Sequence, residues 1–241
     1  MLSLAQRAEV PEESLGCRSQ VLAGRVQLPD KTSAQTLLEN AYELKSPADN
    51  VAYYRAMAGA YDGDFAVNLG WAYPQAIARA YQHQALPSDL PVADIGCGTG
   101  FVAAELRLAP DQIDGMDISP DMLAIATTKS LYRALYEVDL TGPLDAIAHT
   151  YGAVLSAGTF THGHLGPAPL ENLLQIARPG ALFVIGVNQG HFASQGFAET
   201  LAALQTAGKI TDYQTDEIRM YSVPGHVHSE DRALILTFRK I

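Results

Sequence analysis

Beyond residue 87 the chain alternates short apolar runs with amphipathic stretches of helical spacing, the pattern of βαβ units and a mostly parallel sheet. The runs predict strands at Val92–Ile95, Gln112–Met116, Arg133–Glu137, Gly152–Ser156, Leu182–Val187, Ile218–Val223 and Ala233–Arg239. Helices are expected between them near Gly100–Leu108, Pro120–Lys129, Leu144–Thr150, Leu170–Arg178 and Ala198–Ala207. Upstream, Leu37, Leu38, Ala41 and Leu44 recur at helical spacing behind Ser33 as a helix cap. A second helix is expected after Ser46-Pro47, where proline suits a first turn, and a third over Tyr73–Gln84. Residues 1 to about 33 carry Pro11, Gly16, Gly24 and Pro29 without periodicity and read as an arm. The expected organisation is an extension with one helix over 1–45 and a single doubly wound α/β domain over 46–241, its helical leader at 46–86.

Composition narrows the function. With 48% hydrophobic and 17% charged residues the chain can bury a sizeable core. A formal charge of -10 supplies no basic field, which argues against nucleic acid or an anionic membrane as partner. Cys17 and Cys97 make neither a disulfide framework nor a metal-ligand spacing, and they fit a reducing, cytoplasmic compartment. Glu9, Glu12 and Glu13 interrupt the N-terminus before a secretory apolar region forms. The apolar run Ala181–Val187 falls far short of the roughly 20 residues that span a bilayer, so a soluble protein is expected.

The chemistry concentrates after the first strand, in Asp94-Ile95-Gly96-Cys97-Gly98-Thr99-Gly100. Glycines at 96, 98 and 100 permit a tight turn and bring main-chain N–H groups to a ligand with no Cβ in the way. The helix opening at Phe101 adds an N-terminus that favours a carboxylate or phosphate. A dinucleotide fingerprint would space its third glycine one residue later, and Asp94 would repel a pyrophosphate while attracting an ammonium and a sulfonium. Asp117 closes the second strand, where a carboxylate can accept from both ribose hydroxyls, or else cap the following helix, a role Ser119 already fills. Ile118 and Met122 can clasp an adenine ring. After the third strand, Asp139 can accept from the adenine amino group while the N–H of Leu140 meets a ring nitrogen.

These segments resemble the class I S-adenosylmethionine-dependent methyltransferases, in particular the small-molecule type with Asp-x-Gly-Cys-Gly-Thr-Gly and Asp-x-Ser-Pro-x-Met, and more loosely the methyltransferase-like 27 branch. The resemblance runs from about Ala48 to Arg239 and includes Arg178-Pro179-Gly180, where the family usually has Pro-Gly-Gly. It implies a Rossmann-like sheet of order three-two-one-four-five-seven-six with an antiparallel seventh strand, S-adenosyl-L-methionine as cofactor, and a lid from the helices at 46–86. Family lids often read Tyr-Asp-x-Trp-Ala-x-x-Tyr-Asp; the run from Tyr54 to Asp62 keeps both tyrosines, with Arg55 in place of the first Asp and Met57 in place of the tryptophan. Expected cofactor contacts are therefore Tyr54, Tyr61, Asp94, Gly96, Cys97, Gly98, Thr99, Gly100, Asp117, Ile118, Met122, Asp139, Leu140 and Ala157.

In such a fold the methyl acceptor lies beyond the fourth and fifth strands, and histidines crowd those loops: His162 and His164, His191, and His226 and His228. His162 or His164 is the leading catalytic base or acceptor hydrogen-bond partner, because imidazole changes charge near neutral pH. The two His-x-His pairs lack cysteine or carboxylate at metal-ligand spacing, and no metal is expected. The expected partner is a small organic acceptor, with a homodimer left open. Competing readings are an NAD(P)-dependent oxidoreductase and a module that binds S-adenosylmethionine without catalysis.

Overall fold

A computed structural model describes residues 44, 47–60, 62, 69–145 and 147–241. The expected arm, the helix over 33–44 apart from its last residue, and Tyr61 lie outside the described residues. Helix α1 (Pro47–Ala60) and α2 (Tyr73–Gln84) precede the sheet. There follow β1 (Val92–Ile95), α3 (Phe101–Leu106), β2 (Ile113–Asp117), α4 (Pro120–Lys129), β3 (Ala134–Glu137), β4 (Tyr151–Phe160) and α5 (Pro169–Ile176). The chain ends with β5 (Ala177–Asn188), α6 (Gln189–Ser194), α7 (Phe197–Thr206), β6 (Gln214–Arg219) and β7 (Arg232–Arg239).

The seven strands form one sheet of order β3-β2-β1-β4-β5-β7-β6. Neighbours are parallel except β7, which runs antiparallel to both β5 and β6. This is the order the resemblance implied. Every residue of β1 is buried, as are the last eight of β5, because helices cover both faces of the central strands. On one face Tyr73, Ile77 and Tyr81 of α2 pack with Val92, Leu155 and Val184. On the other, Leu173 of α5 and Phe197 and Leu201 of α7 pack with Ile95, Val154 and Phe183.

Three elements depart from the expected pattern. No helix spans Leu144–Thr150; the described residues there form a turn, with the Ile147 N–H donating to the Leu144 carbonyl at 2.9 Å. Leu144 and Ile147 are both buried on the sheet, so a single turn already satisfies the apolar spacing that suggested a helix. Strand β6 lies at Gln214–Arg219 rather than Ile218–Val223, because an exposed edge strand needs no apolar face. The apolar residues after it leave the sheet instead: Tyr221 forms an antiparallel bridge with Trp71, and the Ala72 N–H donates to the Met220 carbonyl at 2.9 Å. The short helix α6 was not expected; the Asn188 side chain caps it by accepting from the His191 N–H at 3.1 Å.

Candidate cofactor and acceptor site

The glycine run lies where β1 hands over to α3. Gly96, Gly98 and Gly100 all adopt positive φ, of 63°, 52° and 97°. A Cβ at Gly96 would stand 2.0 Å from Thr159 Oγ1, so that glycine is demanded by packing against β4. A Cβ at Gly98 would meet no protein atom within 4 Å; the space beside it is open cavity. The loop is pinned from β2, with the Cys97 N–H donating to the Met116 carbonyl at 3.0 Å and the Gly98 N–H donating to Asp117 Oδ2 at 2.8 Å.

Asp117 therefore organises the loop as well as facing the cavity. Its other oxygen accepts from the Ser119 N–H at 2.8 Å, while Ser119 Oγ caps α4 by accepting from the Met122 N–H at 3.3 Å. Burial pushes the Asp117 carboxyl above the ordinary carboxylate range, and these main-chain donors pull it back. Asp94 sits differently. It is fully buried behind the glycine loop, off the cavity wall, and accepts from the Tyr132 hydroxyl at 2.8 Å. Burial raises its pKa to about 7, with Tyr132 opposing and the Asp117 charge adding to the rise. A carboxyl so placed is a weak source of the field expected to select a cation.

One cavity of about 250 Å³ runs along the carboxyl ends of β1, β2 and β4. Among the expected cofactor contacts, Tyr54, Gly96, Cys97, Gly98, Thr99, Asp117, Ile118, Met122, Asp139, Leu140 and Ala157 line it; Asp94 and Gly100 do not. Gly100 instead caps α3, where a Cβ would come 3.1 Å from the Tyr132 ring. Asp139 Oδ1 accepts from both the N–H and the hydroxyl of Thr141, at 2.9 and 2.7 Å, which fixes its carboxylate at the rim.

His162 and His164 line the other end. His164 is half-buried, its Nδ1 lies 3.0 Å from the His162 carbonyl, and its Nε2 lies 2.8 Å from the Tyr54 hydroxyl on α1. Burial pulls its pKa below the ordinary histidine value, so the ring is neutral at pH 7. The ring of His162 turns to His191, 5.1 Å between centroids, and His191 Nε2 lies 2.9 Å from the Leu165 carbonyl. Helix α1 closes over this end through the Asn50 amide, which donates to the Gly163 carbonyl at 3.0 Å, and through an exposed Arg55–Asp121 ion pair at 3.2 Å on α4. Asp62 joins Lys129 and the Thr99 hydroxyl nearby.

A family described as a methyltransferase domain matches residues 92–180 of this chain. That stretch is thus similar to methyltransferase domains, and the sheet is the Rossmann-like one seen in S-adenosylmethionine-dependent methyltransferases. The chain is 36% identical over 148 residues to human methyltransferase-like protein 27, a stretch covering 59% of this chain and 59% of that relative's length. The magnesium protoporphyrin IX methyltransferase of Synechocystis PCC 6803 with bound SAM shares the methyltransferase fold at 15% identity and a TM-score of 0.55, over 86% of this chain and 97% of that one. The plantazolicin methyltransferase BpumL in complex with SAH does so at 14% identity and a TM-score of 0.55, over 87% and 96%.

Sequence reasoning missed part of this candidate site. Trp71, Tyr221 and Met220 line the cavity between its two ends, and the indole lies over Gly158, where a Cβ would come within 3.0 Å of Trp71 Cζ2. Trp71 also meets Phe101 edge to face at 5.9 Å. It is the chain's single tryptophan, the one available signal, but only its bridge to Tyr221 carries it over β4. Asn50 and Thr161 were likewise passed over. Among the described residues no three His, Cys, Asp or Glu side chains cluster as metal ligands.

Proposed function

We propose that this protein transfers a methyl group from S-adenosylmethionine to a small organic acceptor by in-line displacement. The observation that carries the reading is the single cavity shared by the glycine loop with Asp117 and by the His162–His164 loop under α1. Its walls fit the cofactor. The open space at Gly98 leaves main-chain N–H groups approachable, Asp117 presents its carboxylate to ribose hydroxyls, and Ile118 and Met122 offer an apolar slot for adenine beside Asp139 and Leu140. When bound, S-adenosylmethionine supplies an electrophilic methyl group on a sulfonium.

The chain's own residues then hold the acceptor in line, exclude water and receive a proton. α1 covers the cavity and is latched by Asn50, Tyr54 and Arg55. An imidazole of this loop, at His164 or at His162, receives a proton where the acceptor must lose one. The acidic surface and a cavity of about 250 Å³ support a small acceptor over nucleic acid. The two cysteines fit a cytoplasmic setting, and no helix among the described residues is long and apolar enough to cross a membrane. We place the catalytic domain at 46–241, with 46–86 as its lid and 1–45 as an extension.

Calorimetric titration with S-adenosylhomocysteine and with NAD tests the cofactor, and transfer of labelled methyl into metabolite extracts tests catalysis. S-adenosylhomocysteine should bind and NAD should not. Binding without any labelled product would leave a non-catalytic module.

A further inference from the structure

Tyr54 read as a cofactor contact in the sequence, yet its hydroxyl is engaged at the acceptor end. Its partner, His164, has a tautomer that the geometry decides. A carbonyl oxygen can only accept, so the Nδ1 that lies 3.0 Å from the His162 carbonyl carries the proton. In the neutral ring Nε2 then holds the lone pair, and the Tyr54 hydroxyl at 2.8 Å must donate to it. Partial burial favours the neutral ring. The basic nitrogen of His164 is thus already occupied, and an acceptor molecule in the cavity meets the Tyr54 oxygen in its place.

We propose that Tyr54 is a catalytic residue of the methyl transfer, that His164 positions it and takes its proton, and that the acceptor is an uncharged aryl or alkyl alcohol. This rests on the methyltransferase reading above. A phenol that donates its one proton keeps two lone pairs for an incoming O–H. As the acceptor oxygen bonds to the methyl carbon, the carbon–sulfur electron pair returns to sulfur and the acceptor O–H breaks. That proton passes to the Tyr54 oxygen, while the Tyr54 proton passes to His164 Nε2. Imidazolium replaces sulfonium, so the positive charge is conserved.

The acceptor class follows from the walls. The carboxylates on the cavity, Asp117 and Asp139, stand at the cofactor end. Among the described residues, Trp71, Met220 and Tyr221 between the ends and Thr161 and His162 beside the dyad supply neither a carboxylate to pair an ammonium nor a lysine or arginine to pair a carboxylate. A charged acceptor would be desolvated there without a partner. A thiol gives up its proton more readily than an alcohol and has less use for the relay.

The test uses the full chain, p-cresol, p-toluidine and p-toluic acid as matched probes, and Tyr54→Phe and His164→Gln. Nitrogen-15 spectra of the complex with S-adenosylhomocysteine should show His164 protonated at Nδ1 and bare at Nε2, with the Nε2 signal moving in Tyr54→Phe. Labelled methyl should go to p-cresol ahead of the other two. Both variants should lose that transfer by about 10²-fold or more, in kcat rather than KM, and bind S-adenosylhomocysteine within about threefold of wild type. Transfer that survives Tyr54→Phe and fails in His164→Gln would make the histidine the direct base and overturn the proposal. So would the opposite tautomer, preference for the amine or the acid, or no transfer to p-cresol. Failure of the wild-type chain to bind S-adenosylhomocysteine would instead sink the methyltransferase reading itself.

Discussion

The two ends of the cavity are built in different ways. At the cofactor end, three consecutive strand ends supply main-chain donors and carboxylates, and Asp117 reaches back only to Gly98 to set the loop. At the histidine end, the closing contacts join distant parts of the chain: Tyr54 to His164, Asn50 to Gly163, Trp71 to Tyr221. The first end is a consequence of strand order and turn chemistry, while the second depends on a helix packed across a loop. Changes at the first end should therefore strike binding, and changes at the second should strike turnover.

Gly98→Val should separate the two most strongly. The side chain enters open cavity at a backbone φ of 52°, so S-adenosylhomocysteine affinity should fall beyond detection in calorimetry, with a stability cost of about 1–2 kcal/mol for the left-handed backbone. Gly96→Ala tests the opposite: Thr159 fills the space beside that glycine, so melting temperature should fall more than for Gly98→Ala. Equal behaviour of the two would break the distinction between a packing glycine and a ligand-facing one.

Asp94→Asn comes next. A buried carboxyl whose pKa rises to about 7 binds its proton more tightly folded than unfolded, so wild-type stability is full in acid and falls as pH rises from about 4 through 7. The ionised form is roughly 4 kcal/mol less favourable in the fold at 1.36 kcal/mol per pKa unit. The asparagine variant should unfold at higher denaturant than wild type at pH 8 and lose that pH dependence; if stability drops at pH 8, the charge of Asp94 is being used. Asp117→Ala should weaken S-adenosylhomocysteine binding by about 1.5–3 kcal/mol, the usual worth of bonds to a charged group. It should also lower the melting temperature, because the N–H groups of Gly98 and Ser119 lose their acceptor.

At the acceptor end, turnover should rise with pH as His164 loses its proton. Because burial lowers that pKa, the half-maximal point should lie below the ordinary value of about 6.5. A limb centred above it would mean that a carboxylate approaches the ring in the working complex. Arg55→Ala should have the smallest effect, under about 1 kcal/mol on lid closure, since its ion pair with Asp121 is exposed.

Much of the cofactor end was legible because its determinants are local. Positive φ at closely spaced glycines, a strand entering them, and an acid at the next strand's end are consecutive in sequence, and the sheet order brings them together without help from side-chain packing. Asp94 shows the limit even there: its place in the first strand is plain, but that burial raises its carboxyl to about 7 behind the loop, with Tyr132 donating to it, is a fact of packing.

The sequence by itself determined the alternation of strand and helix and the loop chemistry at the ends of β1, β2 and β3, because period and turn preference act within a few residues. Tertiary structure decided that Leu144–Thr150 would settle as a turn, that Met220 and Tyr221 would leave the sheet edge for Trp71, and that Tyr54 of α1 would meet His164. Those outcomes depend on which surfaces meet across about a hundred residues of chain, and burial against a distant partner overrides the weak preference of a short segment.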